Sequence, residues 1–348
     1  MVNVALIGLG YWGPNLARNL SVLSRARLHT VCDSRAERLE HFGRQYSGVK
    51  TRLNADEVFA DPEIDAVVIA TPVQTHFELA AAALRAGKHV MVEKPLAQSS
   101  EQCEELIALA DAGKLILMTG HVFIYNAAVR KVKEYIQSGE LGEIYYVYSQ
   151  RLNLGVIRQD VNALWNFCPH DFSILRYWLE ATPERIFAHG YSYVQPGIED
   201  VVFVNMDFPN GVGANVHISW LDPNKLRRMT VVGSEKMVIY DDVSADAKVL
   251  VYDKGVSKKP KDESLGRFES FGEFQLLLRA GDVLIPKIDF VEPLKLECQH
   301  FVDCVLSGDQ SLTDGRDGLK VVQMLEAAQA SLNSNRGEAS KLSLGSAR

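Results

Sequence analysis

Apolar and polar positions follow one rhythm to about residue 120 and another beyond it. In the first stretch, short apolar runs at 2–7, 28–32, 66–70, 89–93 and 115–119 are continuous, as in strands buried on both faces. Between them, 75–86, stopped by Gly87, and 99–112 carry apolar residues at helical spacing. Strands separated by helices of this length need right-handed crossovers, which predicts a doubly wound parallel sheet with ligands at the carboxyl ends of its strands. After a helix at 126–137, strands are expected in succession at 145–153, 185–193, 201–208, 212–220, 228–232 and 237–240, with Pro209-Asn210-Gly211 as a hairpin turn. One helix at 171–179, with Phe172, Leu175, Trp178 and Leu179 inward, interrupts that series. Helices at 293–306 and 316–333 close the pattern; 254–269 reads as an exposed excursion and the tail after Asn335 as frayed.

The fold class expected is α/β: an N-terminal Rossmann domain over 1–122, then an α+β domain over 123–348 with a largely antiparallel, open-faced sheet. Helices are too few to cover that sheet, which predicts a homodimer or homotetramer joined sheet to sheet. The 348 residues are enough for two cores, and a net charge of −7 argues against a nucleic-acid or anionic-membrane surface. The five cysteines (32, 103, 168, 298 and 304) are scattered without metal-ligand spacing, which suits reduced thiols and no metal. The chain opens in a core strand, and no apolar run has the length of a bilayer span, so a cytoplasmic location is expected.

The chemistry begins in the first turn. Gly8-Leu9-Gly10-Tyr11-Trp12-Gly13 follows a strand and opens a helix, the arrangement that holds a dinucleotide pyrophosphate on a helix N-terminus. Twenty residues on, Asp33-Ser34-Arg35 ends the second strand, where the acid is placed for the adenosine ribose or for a helix cap. The cofactor expected is NAD; Arg35 is the feature that keeps NADP open. Thr71 and Pro72 end the next strand, with His76 opening the helix behind; Thr71 is read as a cofactor contact or as turn chemistry alone. Glu93-Lys94-Pro95 then puts an acid and an ammonium at a further strand end, as a ligand site or as a surface ion pair.

With these motifs in order, the chain resembles the Gfo/Idh/MocA family of nicotinamide-dependent oxidoreductases. The likeness extends through Gly139-Glu140-Leu141-Gly142, Pro169-His170-Asp171, Glu292-Pro293-Leu294 and Thr313-Asp314-Gly315. It implies that Gly8, Gly10, Tyr11, Trp12, Gly13, Asp33, Ser34, Arg35, Thr71, Pro72, His76, Glu93 and Lys94 face the cofactor, and that Lys94 lies beside the nicotinamide and the substrate hydroxyl. The family's Asp-x-x-x-His signature reads here as Asn166-Phe167-Cys168-Pro169-His170. His170 is then a general base, kept neutral by its place in a first helical turn, or else a capping or core residue. Asn166 can bond a hydroxyl but cannot take a proton.

The stretch from Arg151 through Asn153 and Arg158 to Trp165 and Asn166 joins two arginines to several amides on a glycine-broken loop. Guanidinium forks suit phosphate, and the stretch is similar to family members acting on nucleotide-linked sugars, including UDP-N-acetylglucosamine 3-dehydrogenases and dTDP-sugar 3-ketoreductases. Trp165 is a stacking partner for cofactor or substrate, or a packing anchor; Tyr125 is a candidate at the hydride-transfer site, or core. The activity expected is NAD-dependent oxidation of the 3-hydroxyl of a nucleotide-linked amino sugar. Ketosugar reduction, simple sugar or inositol oxidation, NAD-dependent glycosidase chemistry and a silent NAD-binding regulator are the alternatives.

Overall fold

The computed structural model describes residues 1–256 and 278–335, and groups the chain into two compact units. These units are not consecutive halves. The first takes Met1–Glu134, Phe172–Leu179 and Lys287–Gln323; the second takes Tyr135–Asp171, Glu180–Pro286 and the chain from Met324. A boundary at residue 122 therefore misplaces two returning segments, because the apolar faces of the later helices complete the first core.

The first unit is built on six parallel strands in the order β3-β2-β1-β4-β5-β6. They are β1 (Val2–Ile7), β2 (Ala26–Cys32), β3 (Lys50–Arg52), β4 (Ala66–Ile69), β5 (His89–Glu93) and β6 (Leu117–Gly120). Helices α1 (Gly13–Ser21), α2 (Ala36–Gln45), α3 (Ala55–Phe59), α4 (His76–Arg85) and α5 (Ser100–Gly113) connect them, and α6 (Ala127–Gln137) follows. Val4, Leu6, Met91 and Met118 form one wall of a core with Leu16 and Leu20 of α1. The facing wall includes Leu294, Cys298, Phe301 and Val302 from a late helix, α8 (Pro293–Ser307), which packs on α1. β3 and α3 escape the hydrophobic pattern: Lys50, Thr51 and Arg52 are polar edge residues, and α3 has five residues capped by the Asn54 side chain on the Asp56 N–H.

The second unit carries eight strands in the order β14-β13-β12-β11-β7-β10-β9-β8. They are β7 (Ile144–Leu152), β8 (Arg185–Tyr191), β9 (Val201–Asp207), β10 (Gly213–Ser219), β11 (Leu226–Gly233), β12 (Met237–Asp241), β13 (Val249–Val256) and β14 (Leu278–Leu284). Every pairing is antiparallel except β7 with β10. One face buries Val147, Val204, Val216, Val231, Val238 and Val251. The other leaves Phe187, Tyr191 and Tyr146 exposed and stacks Phe203 on His217 at 4.3 Å, so the sheet is open-faced as expected. Of the expected 254–269 excursion, 254–256 belong to β13; the rest, like the tail beyond Asn335, lies outside the described residues.

Helix α7 (Ala163–Leu179) starts eight residues earlier than the pattern predicts. Pro169, just before the expected start, lies inside the helix. The real start is marked by Asn162, whose Oδ1 accepts the Trp165 N–H at 3.1 Å, while its Nδ2 donates to Glu199 and Gln329. The last helix, α9, spans Gly315–Asn335.

Inside the second unit, the Arg151 Nε donates to Asp171 Oδ2 at 2.6 Å, and Ser149 donates to Asp171 Oδ1 at 2.7 Å, all of them buried. Removing one member of a buried pair strands the other's charge, so Asp171→Ala should cost about 3–5 kcal/mol. Urea unfolding of the two proteins measures it, and a loss below about 1 kcal/mol, the scale of an exposed pair, would show that the Arg151 charge is compensated elsewhere.

Candidate functional site

The first unit's turn from β1 to α1 leaves no room for side chains at two of its glycines. Gly8 has φ +99°, and a Cβ there would lie 2.5 Å from the Ala70 carbonyl oxygen; one on Gly13 would collide with the Gly8 carbonyl. At Gly10 the nearest atom to such a Cβ among the described residues, beyond its chain neighbours, is the Arg38 guanidinium at 3.8 Å, so the backbone is open to a ligand there. Helix α1 begins without a side-chain cap or an acidic residue in its first turn; Pro14 has no N–H and the Asn15 N–H donates to the Trp12 carbonyl at 3.0 Å, so what the helix start offers an anion is chiefly its dipole. Tyr11 stands almost fully exposed beside this turn.

Asp33, at the end of β2, holds the same turn from the side. Its Oδ2 accepts the Leu9 N–H at 2.8 Å and Arg38 Nη1 at 3.0 Å; its Oδ1 accepts the Arg35 N–H at 2.9 Å. The carboxylate thus holds the N–H of Arg35, the N-cap residue of α2, without capping the helix itself, and Oδ1 keeps a lone pair that a ribose hydroxyl could use. The arginine that reaches the carboxylate is Arg38, one turn into α2, and not Arg35; Ser34 and Arg35 are exposed. An open glycine, an uncapped helix start and an acid at the next strand end fit a dinucleotide.

Beyond β1 in the sheet, Thr71 and Pro72 follow β4, and Lys94 follows β5. His76 is a brace, which corrects its reading as a cofactor contact: the ring is buried, with Nε2 on the Thr71 carbonyl at 2.9 Å and Nδ1 on the Pro95 carbonyl at 2.8 Å. Burial and the Lys94 charge push its pKa down while the two carbonyls favour the protonated ring. Glu93 also turns inward. Trp12 donates a side-chain hydrogen bond to it and the Lys94 N–H reaches Oε2 at 3.3 Å, while burial raises its carboxyl to about 7 against the opposing Lys94 charge. Half-buried Lys94 therefore remains at the strand end where Glu93 does not.

Tyr125 is a second correction. Its ring sits in the first unit's core, 1 % exposed, with the hydroxyl 3.3 Å from Thr313 Oγ1 and the ring against His300. Burial drives the phenol far up, away from proton transfer. Two groups were not singled out from the pattern. His121, just past β6 and fully buried, sets Nδ1 3.0 Å from Asp317 Oδ2, and Arg176 approaches the other oxygen at 3.4 Å. Burial alone would raise Asp317, but those two partners hold it down. Glu297, an acid on the apolar face of α8, is the other; a charged residue in a core register was its signal.

In the second unit, Asn166 and His170 are four apart on α7 and share its face, both half-buried. His170 lies near the middle of a helix that starts at Ala163, two turns from its N-terminus, so the first-turn dipole argument for its neutrality does not hold. Trp165 is on this helix too, not on a loop. Arg151 is corrected as a phosphate ligand, its guanidinium being committed to Asp171 in the interior. Arg158 pairs with Asp160 at 2.8 and 2.5 Å but stays accessible, in a loop with Asn153 and the exposed Leu154 and Val156.

Comparison with known proteins supplies the class. The NAD-binding Rossmann-fold description of the oxidoreductase family matches residues 2–121, and the GFO/IDH/MocA C-terminal domain matches 129–239. A myo-inositol 2-dehydrogenase of Thermotoga maritima is 26% identical, covering 96% of this chain and 97% of its own. A UDP-N-acetylglucosamine 3-dehydrogenase of Acidithiobacillus ferrooxidans is 27% identical over 69% of this chain and 74% of its own. A solved structure of such an enzyme from that organism superposes with TM-score 0.79 at 22% identity, over 95% of this chain and 97% of the other. With the glycine cradle, Asp33 and Lys94 at successive strand ends, the chain belongs to the Gfo/Idh/MocA family of NAD-binding oxidoreductases.

Proposed function

We propose that this protein oxidises a secondary hydroxyl of a sugar ring with NAD, and that the ring belongs to a nucleotide-linked amino sugar oxidised at its 3-hydroxyl. The observation that carries the reaction class is Lys94, the one cationic side chain among Gly8, Asp33, Thr71 and Lys94 at the ends of β1, β2, β4 and β5. Bound along those ends, NAD supplies a hydride acceptor. Lys94 would hold the oxygen of the reacting hydroxyl as negative charge develops on it, and His170 would accept its proton, while Asn166 bonds a neighbouring hydroxyl. Support for a sugar nucleotide comes from Arg158 in its accessible loop and from likeness to the 3-dehydrogenase.

A second reading, a free sugar or cyclitol as substrate, is favoured by one specific feature: both loop arginines already have carboxylate partners, Arg151 in the interior and Arg158 on Asp160. Likeness to the inositol dehydrogenase over almost the whole chain points the same way.

Absorbance of reduced nicotinamide, with NAD and a panel of UDP-sugars, dTDP-sugars, free sugars and inositols, separates the two. Turnover of a UDP-sugar, with KM raised about tenfold or more in Arg158→Ala, supports the diphosphate contact. Turnover of inositols alone supports the second reading, and turnover of nothing in the panel rejects both.

Lys94→Ala and His170→Ala should each lower kcat by about a hundredfold or more, the scale for an oxyanion donor or a general base, with NAD affinity nearly unchanged. Steady-state kinetics beside a fluorescence titration of NADH measure both quantities. Near-normal turnover of the histidine variant would remove His170 from proton transfer.

NAD should bind more tightly than NADP, because the Asp33 carboxylate repels a 2′-phosphate and already occupies Arg38. Asp33→Ala frees Arg38 and should shift the preference toward NADP by about tenfold, the worth of one charge-assisted hydrogen bond. Tighter NADP binding by the unaltered protein, in parallel titrations, contradicts the assignment.

A further inference from the structure

Glu93 and Glu297 enter one apolar layer from opposite walls. Glu93 lies on the side of β5 that carries Met91, two residues earlier, and Met91 belongs to the core between the sheet and helices α1 and α8. Glu297 lies on the α8 face with Leu294, Cys298 and Phe301, which line that same core. Glu297 is 0 % exposed and Glu93 9 %. Glu93 Oε1 and both Glu297 oxygens are buried without a hydrogen-bond partner among the described residues.

The groups that face the pair come from every neighbouring element. From β5 itself there are the Lys94 main-chain N–H and ammonium charge; from the start of α1, the Trp12 side chain; from β6, the backbone of Gly120; and just beyond β6, the Tyr125 phenol, which the Glu297 charge helps to push up. From α8 comes the Cys298 thiol, pushed up by burial and by the carboxyls around it, whereas Glu292 is held apart by Arg18 and Asn19. Among the described residues, the charge acting on Glu297 is that of Glu93, which adds to the rise caused by burial.

Two carboxylates facing one another in an apolar layer do not both ionise at neutral pH. A proton on one turns an acceptor into a donor and satisfies an oxygen on each side. We infer that Glu93 and Glu297 share one proton, and that the single negative charge left on the pair holds the Lys94 ammonium in its protonated, positioned state. Lys94 decides where the charge rests: as Glu93's chain neighbour it favours ionised Glu93, so the proton stays on Glu297. The directions agree, since burial raises both groups, Lys94 opposes the rise at Glu93, and the Glu93 charge adds to it at Glu297. Both residues are positioning groups. The role at Lys94 rests on the dehydrogenase reading; the shared proton does not.

Infrared spectroscopy of the full chain tests the proton without any turnover. At pH 9, well above the value of about 7 to which burial raises Glu93, the unaltered protein should show the carbonyl stretch of a protonated carboxylic acid, and Glu297→Gln should lose it. In Glu93→Gln, relief from the like charge should lower the pH at which that band disappears by about one unit or more. A band that survives Glu297→Gln, or a titration unmoved in Glu93→Gln, overturns the shared proton; if one variant does not fold, the other decides. For Lys94, Glu93→Gln should move the alkaline limb of the kcat/KM profile down by about one pH unit, as the ammonium loses its counter-charge. An unmoved limb overturns the link to Lys94. Failure to find any substrate would reject the dehydrogenase reading and leave the infrared result standing.

Discussion

The first unit is organised around one steric constraint, the crossing of backbone at the turn between β1 and α1. Gly8 presses on the Ala70 carbonyl, Gly13 presses on Gly8, and no side chain fits at either place. From that crossing two contacts radiate. The Leu9 N–H fixes the Asp33 carboxylate, and the Trp12 side chain reaches Glu93, so the exits of β2 and β5 are tied to the exit of β1. His76 adds the last tie by bridging the Thr71 and Pro95 carbonyls. The row of groups at the sheet's edge is thus braced before any ligand arrives, which reduces the ordering that binding must impose.

Buried charge is managed in two different ways. In the second unit Arg151 and Asp171 cancel, and Ser149 fills part of the remaining acceptor capacity of the acid. The first unit has two acids in one layer and, among the described residues, Lys94 at its rim as the cation that acts on Glu93. Cancellation must come from a proton there, and protons, unlike guanidinium groups, exchange with solvent as pH changes. The first arrangement makes a rigid interior; the second makes one that responds.

Much of this was legible in residue patterns, because the strongest signals were local. Glycines at fixed spacing after a buried strand, with an acid at the next strand end, specify one arrangement of backbone, and the six-stranded order follows from alternating strands and helices. What could not be read were pairings over long separations. Arg151 and Arg158 look alike in a loop-like stretch, yet Asp171 claims only the first, since β7 carries Arg151 into the interior. Tyr125 and Glu297 each sit in an apolar register whose contacts are made by segments far away in the chain. The first two turns of α7 escaped the pattern because the cap that starts it, Asn162, lies well before the apolar face, from Phe172 on, that announced the helix.

The order in which the chain supplies its core bears on how it becomes a protein at all. The sheet wall of the first unit is complete by residue 120, but Leu294, Cys298, Phe301 and Val302 of the facing wall arrive only after β7 to β14 have been made. During synthesis from the N-terminus, Leu6, Met91 and Met118 have α1, Ile124 and Tyr125 as partial cover, but the share of that core that α8 supplies is missing until residue 302 has emerged. The Rossmann segment thus shares its core with a helix from the other end of the chain, and a graft of residues 1–122 alone would leave that share of the core behind.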